Sequence, residues 1–384
     1  MTHANVPFFR PSMGEEEVAA VAECIRSGWL TTGPKTKQFE ADFAEFLGGG
    51  VEAISVNSAT AALHLGLEAL GVGPGDEVIV PTLTFTATAE VVRYLGATPV
   101  FVDIDAATLC VDAAAVEAAV TPRTKTIMPV HFAGRMCDMT ALRAVADRHG
   151  LTILDDAAHA LPAAHQGVTV GKCGADMTAF SFYANKTMTT GEGGMLVTAD
   201  AAMAARVKVM RLHGIDRDVF NRFTDPRASW VYDVVAPGYK YNLTDIASAM
   251  GIVQLRRAQD FVRIRTERVA RYDAAFGNLP LALPPRPAAG DDHSWHLYIV
   301  QLGEAAPIGR DDFITALRDA GVGTSVHYRP LHQMTYWKSF CAGQSFPEAD
   351  RVFDNCVSLP LFMAMADEEQ DRVIDVVRSV LMAG

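Results

Sequence analysis

Between Val51 and Val197 the chain alternates short β-rich runs with helical patterns, and no other feature of the sequence constrains the fold as strongly. Ile54–Val56, Glu77–Val80, Pro99–Val102, Thr126–Val130 and Thr152–Leu154 read as strands. Ala59–Leu70, Thr86–Leu95, Asp112–Val120 and Met139–His149 read as the helices between them. Alternation of this kind implies a mostly parallel sheet covered on both faces. Ligands of such sheets sit beyond the carboxyl ends of the strands, so the residues that follow each strand are where chemistry is expected.

A long helical pattern runs from Thr244 to Phe276, and a Pro-rich break, Pro280–Pro287, marks a change of unit. Beyond it, His296–Leu302 reads as a strand, Arg310–Ala320 as a helix, Gly323–Tyr328 as another strand and Asp367–Met382 as a final helix. The fold class expected is α/β, with a large domain built on a mostly parallel sheet and a smaller C-terminal α+β domain. The boundary is expected near residue 255, giving an N-terminal arm and large domain over 1–255 and a small domain over 256–384. No internal repeat or low-complexity tract interrupts this plan.

Composition removes several classes of function. The formal charge of −12 argues against a nucleic-acid partner, which needs clustered Lys and Arg. It leaves room for a phosphorylated small molecule, because a few oriented N–H groups can hold one phosphate. No stretch approaches the ~20 apolar residues that cross a bilayer, and Met1–Pro11 lacks the pattern of a signal peptide. A cytoplasmic enzyme with no membrane partner is expected. Cys24, Cys110, Cys137, Cys173, Cys341 and Cys356 show no C-x-x-C pair and read as reduced thiols. His293 and His296 are spaced three apart without the carboxylates of a metalloenzyme, so no metal site is expected.

Four strand-end segments carry chemistry. Ser58-Ala59-Thr60 leads from a strand into a helix, where free N–H groups and the helix dipole favour an anion. The segment reads either as a phosphate cradle or as a plain N-cap by Ser58. Gly71, Gly73 and Gly75 follow a helix and precede a strand, the reverse of a dinucleotide fingerprint, and read as a turn. Asp155-Asp156-Ala157-Ala158-His159 places two acids at a strand end, which calls for a cation such as a pyridinium nitrogen; a metal site or plain surface carboxylates are the alternatives. Ser181 through Lys186 ends an apolar strand and enters the Gly-rich turn Thr189–Gly194. A lysine beside a cationic ring loses its proton more easily and can form a Schiff base; a solvated surface lysine is the plain alternative.

Taken in order, these strings resemble the sugar-nucleotide aminotransferases among the fold type I pyridoxal-phosphate (PLP) enzymes, over nearly the whole chain. The resemblance rests on Ser27–Pro34 (SGWLTTGP), Asn57–His64 (NSATAALH), Asp156–Ala160 (DAAHA), the Lys186 segment and Pro237–Asp245 (PGYKYNLTD). Phe9–Gly14, Thr121–Lys125 and Val130–Gly134 are most similar to the UDP-4-amino-4-deoxy-L-arabinose aminotransferase branch. That branch often carries Trp where Phe85 stands and His where Tyr183 stands, and its loop differs over His327–His332.

The resemblance implies Lys186 as the Schiff-base lysine and Asp156 as the partner of the pyridinium nitrogen. It implies Ala59, Thr60 and Ser181 as phosphate ligands, Phe85 and Ala158 against the two ring faces, and His159 at the ring hydroxyl. Asn242 matches an asparagine that reaches the phosphate in the neighbouring subunit, which implies a homodimer with active sites at the subunit interface. Arg10, Trp29, Thr31, Lys240, His327, Arg329 and His332 are the candidates for substrate contacts, each equally readable as a packing or surface residue. The implied activity is ping-pong transfer of an amino group from L-glutamate, through pyridoxamine phosphate (PMP), to a nucleotide-linked 4-keto sugar. Three rivals share the scaffold. A PLP-dependent sugar dehydratase would carry histidine in place of Lys186, an aminotransferase could serve another keto sugar or a cyclitol, and a non-catalytic regulator would have lost Lys186, Asp156 or Asn242.

Overall fold

A computed structural model describes residues 5–216 and 232–382. Nine strands make up the large unit: β1 (Glu52–Val56), β2 (Glu77–Pro81), β3 (Thr98–Val102), β4 (Thr124–Ile127), β5 (Thr152–Asp156), β6 (Ala164–His165), β7 (Val168–Thr169), β8 (Met177–Ser181) and β9 (Gly194–Thr198). Seven of them form one sheet in the order β1-β9-β8-β5-β4-β2-β3, and β6 pairs with β7 in a small hairpin. The neighbours from β8 to β3 run parallel, and β9 is antiparallel to both β8 and β1, so the mostly parallel sheet is as expected. Every residue of β2 and β9 is buried, as a sheet covered on both faces requires. Helices Ala59–Ala69, Ala87–Tyr94, Ala113–Ala118 and Met139–His149 are the crossovers.

The strand read at Thr126–Val130 stops at Ile127. Pro129 has no N–H to give the ladder, and only Val130 rejoins it, as a single bridge to Asp156. The long helix read from Thr244 is two helices, Asp245–Arg256 and Ala258–Phe276, that meet at Arg257. There the Arg257 N–H bonds back to Gln254 O in a tightened turn, while its guanidinium is held by Glu17 and Ser12.

A three-stranded antiparallel sheet of β10 (Leu281–Ala282), β11 (Tyr298–Leu302) and β12 (Cys356–Leu359) forms the second layer system, with helices Arg310–Asp319 and Asp367–Met382 beside it. The expected strand over 323–328 does not form. Among the described residues it keeps the Ser325–Ser358 bridge and a Gly323 N–H bond to Val6 O, after which His327 and Tyr328 turn toward the large sheet. The strings SGWLTTGP and NLTD meet in space: the buried Asp245 carboxylate accepts hydrogen bonds from the Gly33, Lys35 and Thr36 N–H groups and so starts helix Pro34–Phe46. A Cβ on Gly33 would lie 2.8 Å from Asp245 Oδ2, which explains the glycine.

Candidate active site

Strand geometry decides where the paired acids of β5 point. Successive side chains face opposite sides of a sheet, so Asp156 and Asp155 separate. Asp155 is fully buried against His131, whose Nε2 lies 3.3 Å from Oδ2, and takes a hydrogen bond from Thr178 Oγ1. Burial alone would lower His131, but the Asp155 carboxylate outweighs it and raises its pKa. Asp156 faces a cavity of about 340 Å³ at the carboxyl ends of β5 and β8. Ala59, Thr60, Phe85, Asp156, Ala158, His159, Ser181, Lys186 and His327 all line it, so four separate strand ends converge on one space.

Asp156 is held rigidly. Thr88 Oγ1 donates to its Oδ2 at 2.8 Å, and the Ala158 N–H donates to Oδ1 at 3.1 Å. Burial raises its pKa in spite of both bonds and of the lowering pull of the Lys186 and His131 charges. Lys186 follows the turn after β8, and its N–H bonds to Tyr183 O. Its Nζ makes no hydrogen bond among the described residues, and burial lowers its pKa to about 8 against the opposing pull of Asp156.

At the helix start, Ser58 Oγ caps the Ala61 N–H at 3.1 Å. The cap is thus made, and the Ala59 and Thr60 N–H groups remain without acceptors among the described residues, at the cavity wall. Gly194 of β9 lies under that helix start, and a Cβ there would come within 2.6 Å of Ser58 C and O and 2.7 Å of Ala59 N.

Most substrate candidates lie outside this cavity. Arg10 is exposed and pairs with Glu369 at 2.7 Å. Trp29 packs against Gly33, and Thr31 gives its carbonyl to the Asp245 N–H. Lys240 is exposed, and its carbonyl receives Asn57 Nδ2. His332 contacts Thr82 through Nδ1 and Asp350 through Nε2, each at 2.8 Å. Arg329 lines an adjoining groove that shares Thr84, Phe85 and Tyr328 with the cavity. Asn242 Nδ2 donates to Thr32 at 2.7 Å, away from its own chain's cavity. His327 lines the cavity, with Nδ1 engaged by Ser358 Oγ at 2.8 Å; burial and then Lys186 lower its pKa to about 4.

Thr84, Thr88, Asn185, Glu192 and Tyr328 were not singled out from sequence, yet Thr88 orients Asp156 and the others line the cavity. Thr88 had a legible signal, a hydroxyl at the start of the crossover helix that follows β2. Asn185 Oδ1 is buried without a partner among the described residues. A phosphorylated pyridine aldehyde fits this set of groups. Free helix amides suit its phosphate, Asp156 lacks a cation that a protonated ring nitrogen supplies, and an amine of lowered pKa suits its aldehyde.

No helix among the described residues is long and apolar enough to cross a membrane. Residues 11–378 match the DegT/DnrJ/EryC1/StrS aminotransferase family. The chain is 46% identical over 380 residues to the spore coat polysaccharide biosynthesis protein SpsC of Bacillus subtilis (strain 168), covering 98% of this chain and 97% of that protein. Its fold is similar to that of Spr1654 of Streptococcus pneumoniae, assigned as a sugar aminotransferase, in the PMP form (TM-score 0.92, 37% identity, 99% of this chain and 100% of that one). The PLP form of the same protein aligns with a TM-score of 0.91. Helicobacter pylori PseC, an aminotransferase of pseudoaminic acid biosynthesis, aligns with a TM-score of 0.90 at 29% identity, over 99% of this chain and 100% of that one. The ordered strand-end residues, the cavity they build and these matches lead to one conclusion: the chain belongs to the DegT/DnrJ/EryC1/StrS aminotransferase family.

Proposed function

We propose that this chain transfers the amino group of L-glutamate, through PLP and its PMP form, to a nucleotide-linked 4-keto sugar, UDP-linked, and yields a 4-amino sugar nucleotide. The observation that carries this reading is the convergence of Lys186, Asp156 and the free helix amides on one cavity. When bound, PLP supplies an aldehyde carbon that takes up the amino group and a ring that draws electrons from it. The chain's own residues do the rest.

The Ala59 and Thr60 N–H groups and the Ser181 hydroxyl hold the phosphate. Phe85 and Ala158, both at the cavity wall, would cover the ring faces. Asp156, fixed by Thr88 and Ala158, keeps a proton on the ring nitrogen, so that electron density can be stored in the ring. Lys186 Nζ would hold the aldehyde and, when released by the donor's amino group, would serve as general base. Nζ would take the proton from the donor's α-carbon and return it, across the intervening nitrogen, to the carbon that was the aldehyde's. At a pKa of about 8, roughly a tenth of this amine is neutral at pH 7, against about one part in three thousand for an ordinary lysine. The keto sugar then enters the emptied cavity and the same groups act in reverse, which gives ping-pong kinetics.

We read the working unit as a cytoplasmic homodimer in which Asn242 serves the partner's phosphate. Its position outside its own cavity and the six unpaired cysteines support this reading. SpsC, by its name, acts in polysaccharide biosynthesis, and we assign this product to the same kind of use. The presence of Lys186 in the cavity disfavours the histidine-based dehydratase. A donor–acceptor panel tests the proposal: the loaded enzyme with L-glutamate should aminate a UDP-linked 4-keto sugar, seen by mass spectrometry as product and 2-oxoglutarate in equal amounts. Amination of a free keto sugar or cyclitol, and of no nucleotide sugar, would refute it.

A further inference from the structure

We infer that the Tyr328 hydroxyl is a catalytic hydrogen-bond donor, aimed into the cavity at an oxygen of the bound ligand. The inference rests on the reading above and adds to it a residue that the family resemblance did not supply.

The turn Phe132–Gly134 fixes the tautomer of the neighbouring His159. Ala133 stands at φ 57°, a left-handed conformation uncommon for a residue with a side chain. It is kept there by Leu297 N–H on its carbonyl at 3.2 Å and Ser294 N–H on Gly134 O at 3.0 Å. In that pose the Ala133 N–H donates to His159 Nδ1 at 3.3 Å, so Nδ1 carries no proton. The ring cannot gain a second proton readily. Burial, then Lys186 and His327, push its pKa well below the ordinary histidine value. The neutral ring must therefore carry its proton on Nε2.

Nε2 lies 3.2 Å from the Tyr328 hydroxyl oxygen, and the tautomer settles which group gives: His159 donates and Tyr328 accepts. Tyr328 keeps its own proton, because burial and then the nearby Asp156 charge raise its pKa. That O–H makes no other hydrogen bond among the described residues. Tyr328 lines the cavity together with Lys186, Asp156 and Phe85, and its ring packs at 5.9 Å from that of Phe85. A phenol that has accepted one hydrogen bond and still has a proton to give is a ready donor to a carbonyl, alkoxide or phenolate oxygen. In this cavity such an oxygen has two sources, the keto oxygen of the amino acceptor and the ring oxygen of the cofactor; His159, implied by the resemblance at that ring oxygen, has both nitrogens engaged by Ala133 and Tyr328 and would act on it through Tyr328.

Tyr328→Phe tests this with little change of shape. Two measurements on the PLP-loaded protein separate the sources. The first is the absorption maximum and dissociation constant of the bound cofactor without substrate. The second is the single-turnover rate of the amino-loaded form with the keto sugar. A shifted maximum with weaker cofactor binding supports the inference and assigns the ring oxygen. An unchanged spectrum with amino transfer to the sugar slowed ~10²-fold, glutamate still reacting normally, supports it and assigns the keto oxygen. The inference is overturned if spectrum, affinity and both rates stay within about twofold of wild type. Failure of the underlying reading looks different: the wild-type protein itself would then take up no PLP or show no turnover.

Discussion

Replacing Gly194 with alanine isolates the phosphate-holding role of the helix start. The added Cβ would sit 2.6 Å from Ser58 C and O and 2.7 Å from Ala59 N, some 0.8 Å short of an ordinary 3.4 Å contact. All three atoms are backbone, so no side-chain rotation relieves the clash. Gly194 is also tied on both sides, pairing with Val56 in β1 and Ser181 in β8, which leaves the helix start as the part that must shift. A displacement of this size degrades hydrogen bonds whose useful range is only a few tenths of an ångström. Losing one charge-assisted N–H bond costs about 1.5–3 kcal/mol, or roughly a 10- to 150-fold weaker PLP complex. The assay is fluorescence titration of the unloaded protein with PLP. A thermal melt of the same unloaded samples shows whether the fold has been kept. If the folded variant binds PLP as tightly as wild type, the Ala59 and Thr60 amides do not hold the phosphate.

Three more predictions follow from the same geometry. Asp156→Asn should still bind PLP but react with glutamate ~10²-fold or more slowly, measured as loss of the cofactor's colour in a single turnover; an unimpaired rate would remove Asp156 from its role. Attachment of PLP to the unloaded protein requires neutral Lys186, so its rate should rise about fivefold from pH 7 to pH 8 and level off above about pH 9. A rise continuing tenfold per unit toward pH 10 would show a lysine that burial does not perturb. If Asn242 serves the partner's site, mixing inactive Lys186→Ala and Asn242→Ala dimers should restore about a quarter of the wild-type activity. Half of randomly re-paired dimers are hybrids, and one of the two sites in each hybrid has both residues. No recovery after confirmed subunit exchange would place each active site within one chain.

The parts of the site that can be read from sequence are those fixed by local chain geometry. Asp156, Ser181 and Lys186 end or follow strands of the sheet's buried middle, and the crevice rule for parallel sheets places them together without knowledge of any tertiary contact. Ala59 and Thr60 are legible for the same reason, as the first residues of a crossover helix. The rest depends on what arrives from a distance. His332 looks like a ligand-binding histidine in sequence, but Thr82, 250 residues earlier, and Asp350 occupy both its nitrogens. Arg10 finds Glu369 from the other end of the chain. In the sequence Tyr328 reads as the end of a strand, whereas departure from the strand ladder after Ser325 is what brings it to the cavity. The tautomer that gives it meaning is set by a single N–H at Ala133, which no residue pattern announces.

The account depends above all on one covalent partner. Borohydride reduction of the PLP-loaded protein, followed by proteolysis and peptide mass mapping, should place the cofactor's added mass on Lys186. A label on any other side chain, or no label on a protein that has bound PLP, would contradict it.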